Sequence, residues 1–549
     1  MGIREKIAGH MSVTARLRAS QVAHGQLGWQ RALTSGVRSA LAGTVPEGAQ
    51  AVGPATRPLL GEVVTSFDSW DVRRGTLAAV VAVLRAADVP YVLLGTRPEL
   101  VVVRAGEAER ARAALAGLDS PGWTVRTPGR SRDARLRRHL RAPLRPTQRL
   151  FRTLVADDGT VLGGPAEGVV LEVWTHSTDA VTYDPALGPL APGTLVAPSY
   201  NGTASHLSPG IWERARGTAE HRVVTASRLD EVREPIDVVY TWVDGTDEEW
   251  QAQRKAAEES LAPGAVNPNA LAPSRFLGHD ELRFSMRSIE MYASWVRHIH
   301  VVTNRQVPHW LDTSNPRVSV VRHDEIFADT SALPVFNSHA IESQLHRVPG
   351  LSDRYLYLND DVFFGRPVAP ELFFEGNGIS RFFLSEALLG LDPPSVGDLP
   401  VMSAAKRNRA LIEQMTGRTV TRKVKHTPHP QQRAVLEDLE REHPEVFAHL
   451  ARSRFRDPAD HSVAAVLHHW YAYVTGRAVE GRIVYDYLDL ANEDAVLTLN
   501  RIARSRAFDV FCLNESDVPS GVREDRSQMI HDMLAAYFPL RSSFELPGR

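Results

Sequence analysis

The chain has 549 residues, is 43% hydrophobic and carries a formal net charge of −2, so it has the material for two or three ordinary globular domains. So balanced a charge gives no global attraction to nucleic acid, which is not expected as a partner. The single cysteine, Cys512, leaves no internal disulfide, and no apolar run reaches the ~20 residues of a membrane span. With no N-terminal apolar segment either, the expectation is a cytoplasmic protein, with peripheral association at the inner face of the cell membrane left open.

In chain order, residues 1–58 open with Ile3, Ile7, Met11, Val13, Leu17 and Leu27 among polar residues, a spacing that predicts one or two amphipathic helices for packing or oligomerisation. Residues 59–230 alternate short apolar runs (YVLLG, ELVVVRAG, VVLEVWTH) with helical stretches at 76–87 and 107–118, which predicts a separate accessory α/β or α+β domain. Within it, arginine recurs at nearly every second or third position from Arg130 to Arg152. Such a run reads as a solvated face or loop, with contact to an anionic polymer or to phospholipid headgroups as the alternative.

From residue 235 to 549 the pattern changes again. IDVVYTWV, HIHVVTN, VSVVRHD, YLYLNDDVFF and RFFLSE are apolar with little alternation, as expected of a mainly parallel sheet buried on both faces. In such sheets ligands bind beyond the carboxyl ends of strands, where Asp244, Asn304, and Asn359, Asp360 and Asp361 fall. Residues 401–480 read as a helical insertion.

Two carboxylates ending a buried strand repel each other and lose hydration, so Asp360 and Asp361 need a cation, donors or solvent. A hard divalent ion meets that need; a turn or helix cap is the other reading. Asn337 to Gly350 predicts a helix closed by Pro349 and Gly350, with His339, Glu342 and His346 on one face as an acid/base set. Their spacing is not that of a zinc helix. On the stretch from His279, Asp280, Arg283 and Arg287 share a face, either as helical ion pairs or as a fork for phosphate with Asp280 or Glu281 as a further carboxylate. KHTPHPQQR adds Lys425, His426, His429 and Arg433, and LHHWYAY adds His468 and His469.

IDVVYTWVDGTD, DELRFSMRSIEMYASWVRHIHVVTN, FNSHAIESQLHRVPGLSDRYLYLNDDVFFG and the section from HTPHPQQR to LHHWYAYVTGRAV, in this order, resemble the signature regions of the Stealth family of polysaccharide hexose-1-phosphate transferases. The resemblance implies a Rossmann-like (GT-A-like) α/β catalytic domain that moves a sugar with its phosphate from a UDP-sugar donor to a glycan hydroxyl, with release of UMP. It implies Mg²⁺ or Mn²⁺ on Asp360 and Asp361, beside Asn359, and a nucleotide seat made by Trp242, Asp244 and Gly245. Arg275, Arg283, Arg287 and Asn304 would line the donor site, with Arg381, His429 and Arg433 added to it. His346 is the expected general base, oriented by Glu342, with His339 and Asp280 as rivals. Gly278 stands where relatives often carry an acidic residue, which shifts that duty to Asp280 or Glu281. A homodimer is expected. A conventional glycosyltransferase that releases UDP and a noncatalytic glycan-binding scaffold are the competing readings.

Overall fold

The computed structural model describes residues 28–549 except 55–56, 96–98, 130–132, 178–182, 185–187, 263, 265, 273–275, 277, 279, 493–494, 515–519 and 549. The helices expected before residue 28 and the donor-site residue Arg275 lie outside the described residues. The chain forms two compact units, one of residues 17–228 and one built chiefly from residues 229–549. Among the described residues no helix is long and apolar enough to cross a membrane.

The first unit is α+β. Strand Val169–His176 pairs parallel with Leu100–Arg104 and antiparallel with Thr147–Arg152, at the heart of an eight-stranded sheet. Its buried residues face both sides of the sheet, Val169 and Leu171 in one core cluster and Trp174 in another. Helix Ser69–Ala86 begins earlier than its apolar spacing predicts because Asp68 caps it, the carboxylate accepting from the backbone N–H groups of Trp70 and Asp71. The arginine-rich stretch is not simply a loop. Its described part supplies strands Ala134–Arg135 and Thr147–Arg152 and the short helix Leu136–His139.

The second unit is Rossmann-like. Four parallel strands run in the order Val318–Arg322, Ile299–Thr303, Ile236–Thr241, Arg354–Leu358, and the antiparallel strand His429–Gln432 closes the edge. The near-continuous apolar runs are buried on both faces, with Tyr240, Tyr355 and Tyr357 almost wholly inaccessible. RFFLSE does not join this sheet: Ser380–Phe382 pairs with Ala478–Glu480 instead. The fifth strand comes from the stretch expected to be helical. Pro430 has no N–H to offer a ladder, and an edge strand is where that is tolerated.

At the amino end of the sheet, Asp237 is fully buried and accepts hydrogen bonds from Arg297 (2.5 and 2.8 Å) and from the backbone of Ser352 (2.8 Å), with His300 at 3.4 Å. These donors outweigh the cost of burial and hold its carboxyl well below the usual range. One side chain thereby ties together the starts of three adjacent strands.

At the carboxyl end, Arg354–Leu358 stops at Asn359, and the chain turns through Asp360 and Asp361 into Val362–Phe364. That strand leaves the main sheet and pairs with Val510–Asn514, which pairs with Tyr485–Asp489. The two acidic residues are therefore the joint between two sheets. Helix Glu281–Tyr292 carries a buried face along most of its length. Its Arg283 and Arg287 grip Glu545, at 2.6 Å and at 2.7 and 2.8 Å, and Arg287 also donates to the carbonyl of Phe538.

Glu545 is lowered to about 2 although burial alone would raise it, because Arg287, the Ser542 backbone and Arg283 stabilise the carboxylate. Its contribution to stability is complete above its ordinary value of 4.5 and disappears as pH falls through about 2. Glu545→Gln is expected to cost about 3 kcal/mol at pH 7 in urea unfolding, with the difference from wild type shrinking toward pH 2.

Candidate active site

Adjacent strands Ile236–Thr241 and Arg354–Leu358 mark the point where the strand order reverses, and a cavity of about 750 Å³ opens beside the residues that follow the second strand. Asn359, Asp360, Asp361, Glu281, His339 and His429, all expected site residues, line it. Glu281 occupies the first turn of its helix, where it favours the positive end of the helix dipole. Its neighbour Asp280 is exposed, in the left-handed region at φ 61°.

Burial, the Glu281 carboxylate and Asp361 together push Asp360 up to about 8. Asp361 is satisfied on both oxygens: one lies 3.2 Å from His426 Nε2 and the other accepts from the Cys512 thiol at 3.3 Å. Burial would lower His426, but the facing Asp361 carboxylate prevails and raises it. Around these acids stand Arg422, Lys423, Lys425 and Arg456. The Arg456 guanidinium is buried and donates to Ser338 Oγ at 2.8 Å; burial lowers its pKa against the opposing effect of Glu342.

Oxygen donors from Asn359, Asp360, Asp361 and Glu281 are the set that Mg²⁺ or Mn²⁺ takes, and the raised Asp360 marks an excess of negative charge that a cation would relieve. By donor chemistry these residues suit such an ion, and the ligand atoms of Asp361, His426 and Cys512 lie within 4.8 Å of one another beside them.

The expected acid/base face divides. The helix stops at Glu342, where Ser343 Oγ turns back to the Ala340 carbonyl at 2.8 Å, and a separate turn, Leu345–Arg347, carries His346. His346 Nε2 lies 3.0 Å from Glu440, which Arg347 also grips at 2.6 and 2.7 Å, and His346 is not among the cavity-lining residues. His339 stays at the cavity, its Nδ1 3.5 Å from the buried Asp460. Asp460 also accepts from Asn337 at 2.8 Å and lies 3.2 Å from His449, and these partners keep it ionised against burial. Glu342 accepts from the Tyr357 hydroxyl at 3.2 Å.

The remaining expected residues occupy two ends of the sheet. Trp242, Asp244 and Gly245 follow the central strand at its carboxyl end; Asp244 accepts from Thr246, and a side chain at Gly245 would strike the Phe276 carbonyl. Asn304, at the same end of the next strand, donates to Gln253 at 3.2 Å. Arg433 pairs with Asp353 at 2.7 Å, at the amino end, because four residues of an antiparallel strand separate it from His429. Arg381 pairs with Glu375 at 2.6 Å, and Arg283 and Arg287 are committed to Glu545. None of these four arginines lines the cavity. Arg456, Tyr485, Cys512 and Asn514 do line or border it and carried no pattern in the sequence that singled them out.

Models of Stealth protein conserved regions 1 to 4 match residues 234–262, 275–382, 425–473 and 500–549. An exopolysaccharide phosphotransferase of Streptomyces coelicolor is 38% identical over 499 residues, 87% of this chain and 83% of that protein. The exopolysaccharide phosphotransferase CpsY of Mycobacterium tuberculosis is 35% identical over 483 residues, 84% of this chain and 86% of that one. A second Streptomyces coelicolor exopolysaccharide phosphotransferase is 36% identical over 96% of this chain, which spans only 57% of that longer protein. A galactosyltransferase structure aligns with 57% of this chain at 10% identity and a TM-score of 0.28, too low to carry an argument.

A carboxyl that holds its proton up to about 8 must release it before it can ligate a cation. Mn²⁺ affinity, read from the free-ion signal in electron paramagnetic resonance, is therefore expected to rise by up to about tenfold per pH unit from 6 to 8 and then level off. Asp360→Asn should flatten that rise while Asp361→Ala abolishes binding; a pH-independent affinity in the wild type would contradict the assignment.

Proposed function

As the chain belongs to the Stealth family and is a phosphotransferase, we propose that it transfers a sugar 1-phosphate, with N-acetylglucosamine 1-phosphate as the first donor group to test, from a UDP-sugar to a glycan hydroxyl in polysaccharide biosynthesis. The observation that carries the reading is the convergence of Asp360, Asp361 and Glu281 with Arg422, Lys423, Lys425 and Arg456 around one cavity. Phosphoryl transfer asks for little else than positioning and charge stabilisation, and both signs of charge are in place.

The acceptor oxygen attacks the phosphorus that bears the sugar, the bond from that phosphorus to the bridging oxygen breaks, and the bridging oxygen departs on UMP. Asp360 and Asp361, with Asn359 and Glu281 beside them, would hold Mg²⁺ or Mn²⁺, which supplies charge neutralisation at the diphosphate oxygens. Lys423, Lys425 and Arg456 face the same oxygens from the other wall. His339, with the Asp460 carboxylate 3.5 Å from its Nδ1, takes the proton of the acceptor hydroxyl, and the nearby negative charge supports the cation that forms. His426, held beside Asp361, serves as a further positive group. Trp242, Asp244 and Gly245 receive the nucleotide at the mouth of the neighbouring strand.

Purified protein given UDP-N-acetylglucosamine, Mg²⁺ and a cell-wall glycan extract should release UMP only when acceptor and metal are both present, with the nucleotide identified by chromatography. UDP would move the protein to the conventional glycosyltransferases.

The two histidines give a second test. His339→Gln is expected to lower kcat by roughly 100-fold or more at unchanged donor affinity. His346→Gln is expected to leave kcat within about threefold and to lower stability by about 1–3 kcal/mol, since it strips a buried partner from Glu440. The reverse pattern would return the base role to His346.

A further inference from the structure

The unit of residues 17–228 lies outside every matched conserved region, and it has a cavity of its own of about 650 Å³. Arg57, Arg135, Arg137, Arg138 and Arg141 line it. Elsewhere in this unit several arginines pair with carboxylates, Arg104 with Glu213, Arg110 with Glu107, Arg112 with Glu109, Arg126 with Asp133, and Arg222 with Glu99, all at 2.7–3.1 Å, while Arg85 and Arg149 donate to the carbonyls of Ala219 and Pro165. At the cavity five arginines are gathered together. Among the described residues none of the five pairs with a carboxylate, and of the two acidic residues on the wall Asp133 is already gripped through both oxygens by Arg126, which leaves Asp119.

Arg135 is the most constrained of the five. Its guanidinium is half-buried and donates only to the carbonyls of Pro58 and Ala42, each at 3.2 Å. Burial lowers its pKa with no acidic neighbour to offset the loss. Arg137, Arg138 and Arg141 rise from the short helix Leu136–His139 and the residues just after it, and Arg57 contributes from another part of the wall. The floor is apolar, with Leu59, Leu60 and the buried Trp123.

We propose that this cavity binds the phosphodiester backbone of an anionic glycan, the class of polymer that the transfer reaction extends. The proposal rests on the function proposed above for its choice of polymer. Guanidinium groups match phosphate oxygens as paired donors, and several in one concavity can hold successive phosphates of a strand. A volume of this size accommodates a few sugar–phosphate units, and an apolar floor suits the faces of sugar rings. A lipid surface is the poorer fit, because the charge lines a hollow and a flat bilayer would not reach into it.

The test uses the full chain and fluorescently labelled poly(glycerol phosphate), with binding read by anisotropy in the absence of any UDP-sugar. Wild type should bind, with affinity falling as salt rises, and the combined variant Arg137→Gln, Arg138→Gln, Arg141→Gln should bind roughly tenfold or more weakly. All three residues are exposed, so the melting temperature should not move; Arg57→Gln, from another part of the wall, should give a smaller loss in the same direction. Unchanged affinity in the combined variant would overturn the proposal. So would equal competition by neutral dextran or by hyaluronan, whose charge is carboxylate, or loss of binding to phosphatidylglycerol vesicles with polymer binding intact. Asp361→Ala should bind the polymer as wild type does, and it should do so whichever nucleotide the transfer assay releases. A failure of the transferase reading therefore leaves this measurement interpretable.

Discussion

Three carboxylates that line one cavity at the end of a buried strand, two of them raising the third, are the constraint around which the second unit is arranged. Asp360, Asp361 and Glu281 repel, and left alone they would take up protons, as the raised Asp360 already does. Each is held by structure brought from elsewhere. Asp361 is fixed by His426 from the stretch before the edge strand and by Cys512 from the smaller sheet. Glu281 is presented by a helix that Glu545 anchors through Arg283 and Arg287. The charge that makes the site useful is thus stabilised by ordinary packing and ion pairing at a distance from it.

The division of labour between the two ends of the sheet follows from the same logic. Asp237, at the amino end, is saturated by Arg297, His300 and Ser352 and has nothing left to offer a ligand. The acids at the carboxyl end line a cavity that Arg422, Lys423, Lys425 and Arg456 also line. A buried acid with all of its donors in place reads as architecture, and a buried acid lifted toward neutrality beside an opening reads as chemistry.

Much of this was legible in the sequence, and the parts that were not share a cause. The strands announced themselves as apolar runs, and the polar residues that end them marked where a cavity had to be. Asn359, Asp360 and Asp361 came from that reading and Glu281 from the helical stretch after His279, and all four line the cavity. Helical spacing told which side chains share a face but not what lies opposite: Arg283 and Arg287 could be read as helical ion pairs or as a phosphate fork, and the partner they hold, Glu545, stands 258 residues or more away. His346 was misplaced because a hydroxyl at Ser343 ended a helix that the spacing alone would continue. Arg456 and Cys512 were invisible for the same reason as Glu545, since only the fold brings them beside Asp361 and Glu342.

The clamp between Glu545 and the arginines of helix Glu281–Tyr292 also makes the site depend on the last part of the sequence. Of the four matched regions, the one that contains Glu545 leaves the ribosome last. Until it docks, the helix that carries Glu281 has two buried guanidinium groups without their anion, and the strand that bears Cys512 has not yet paired with Val362–Phe364. The contact joins residues 258 apart in sequence, and contacts so distant are of the kind that slow folding. A chain without the last matched region would lack both Glu545 and Cys512, and with them the anchor of helix Glu281–Tyr292 and a partner of Asp361.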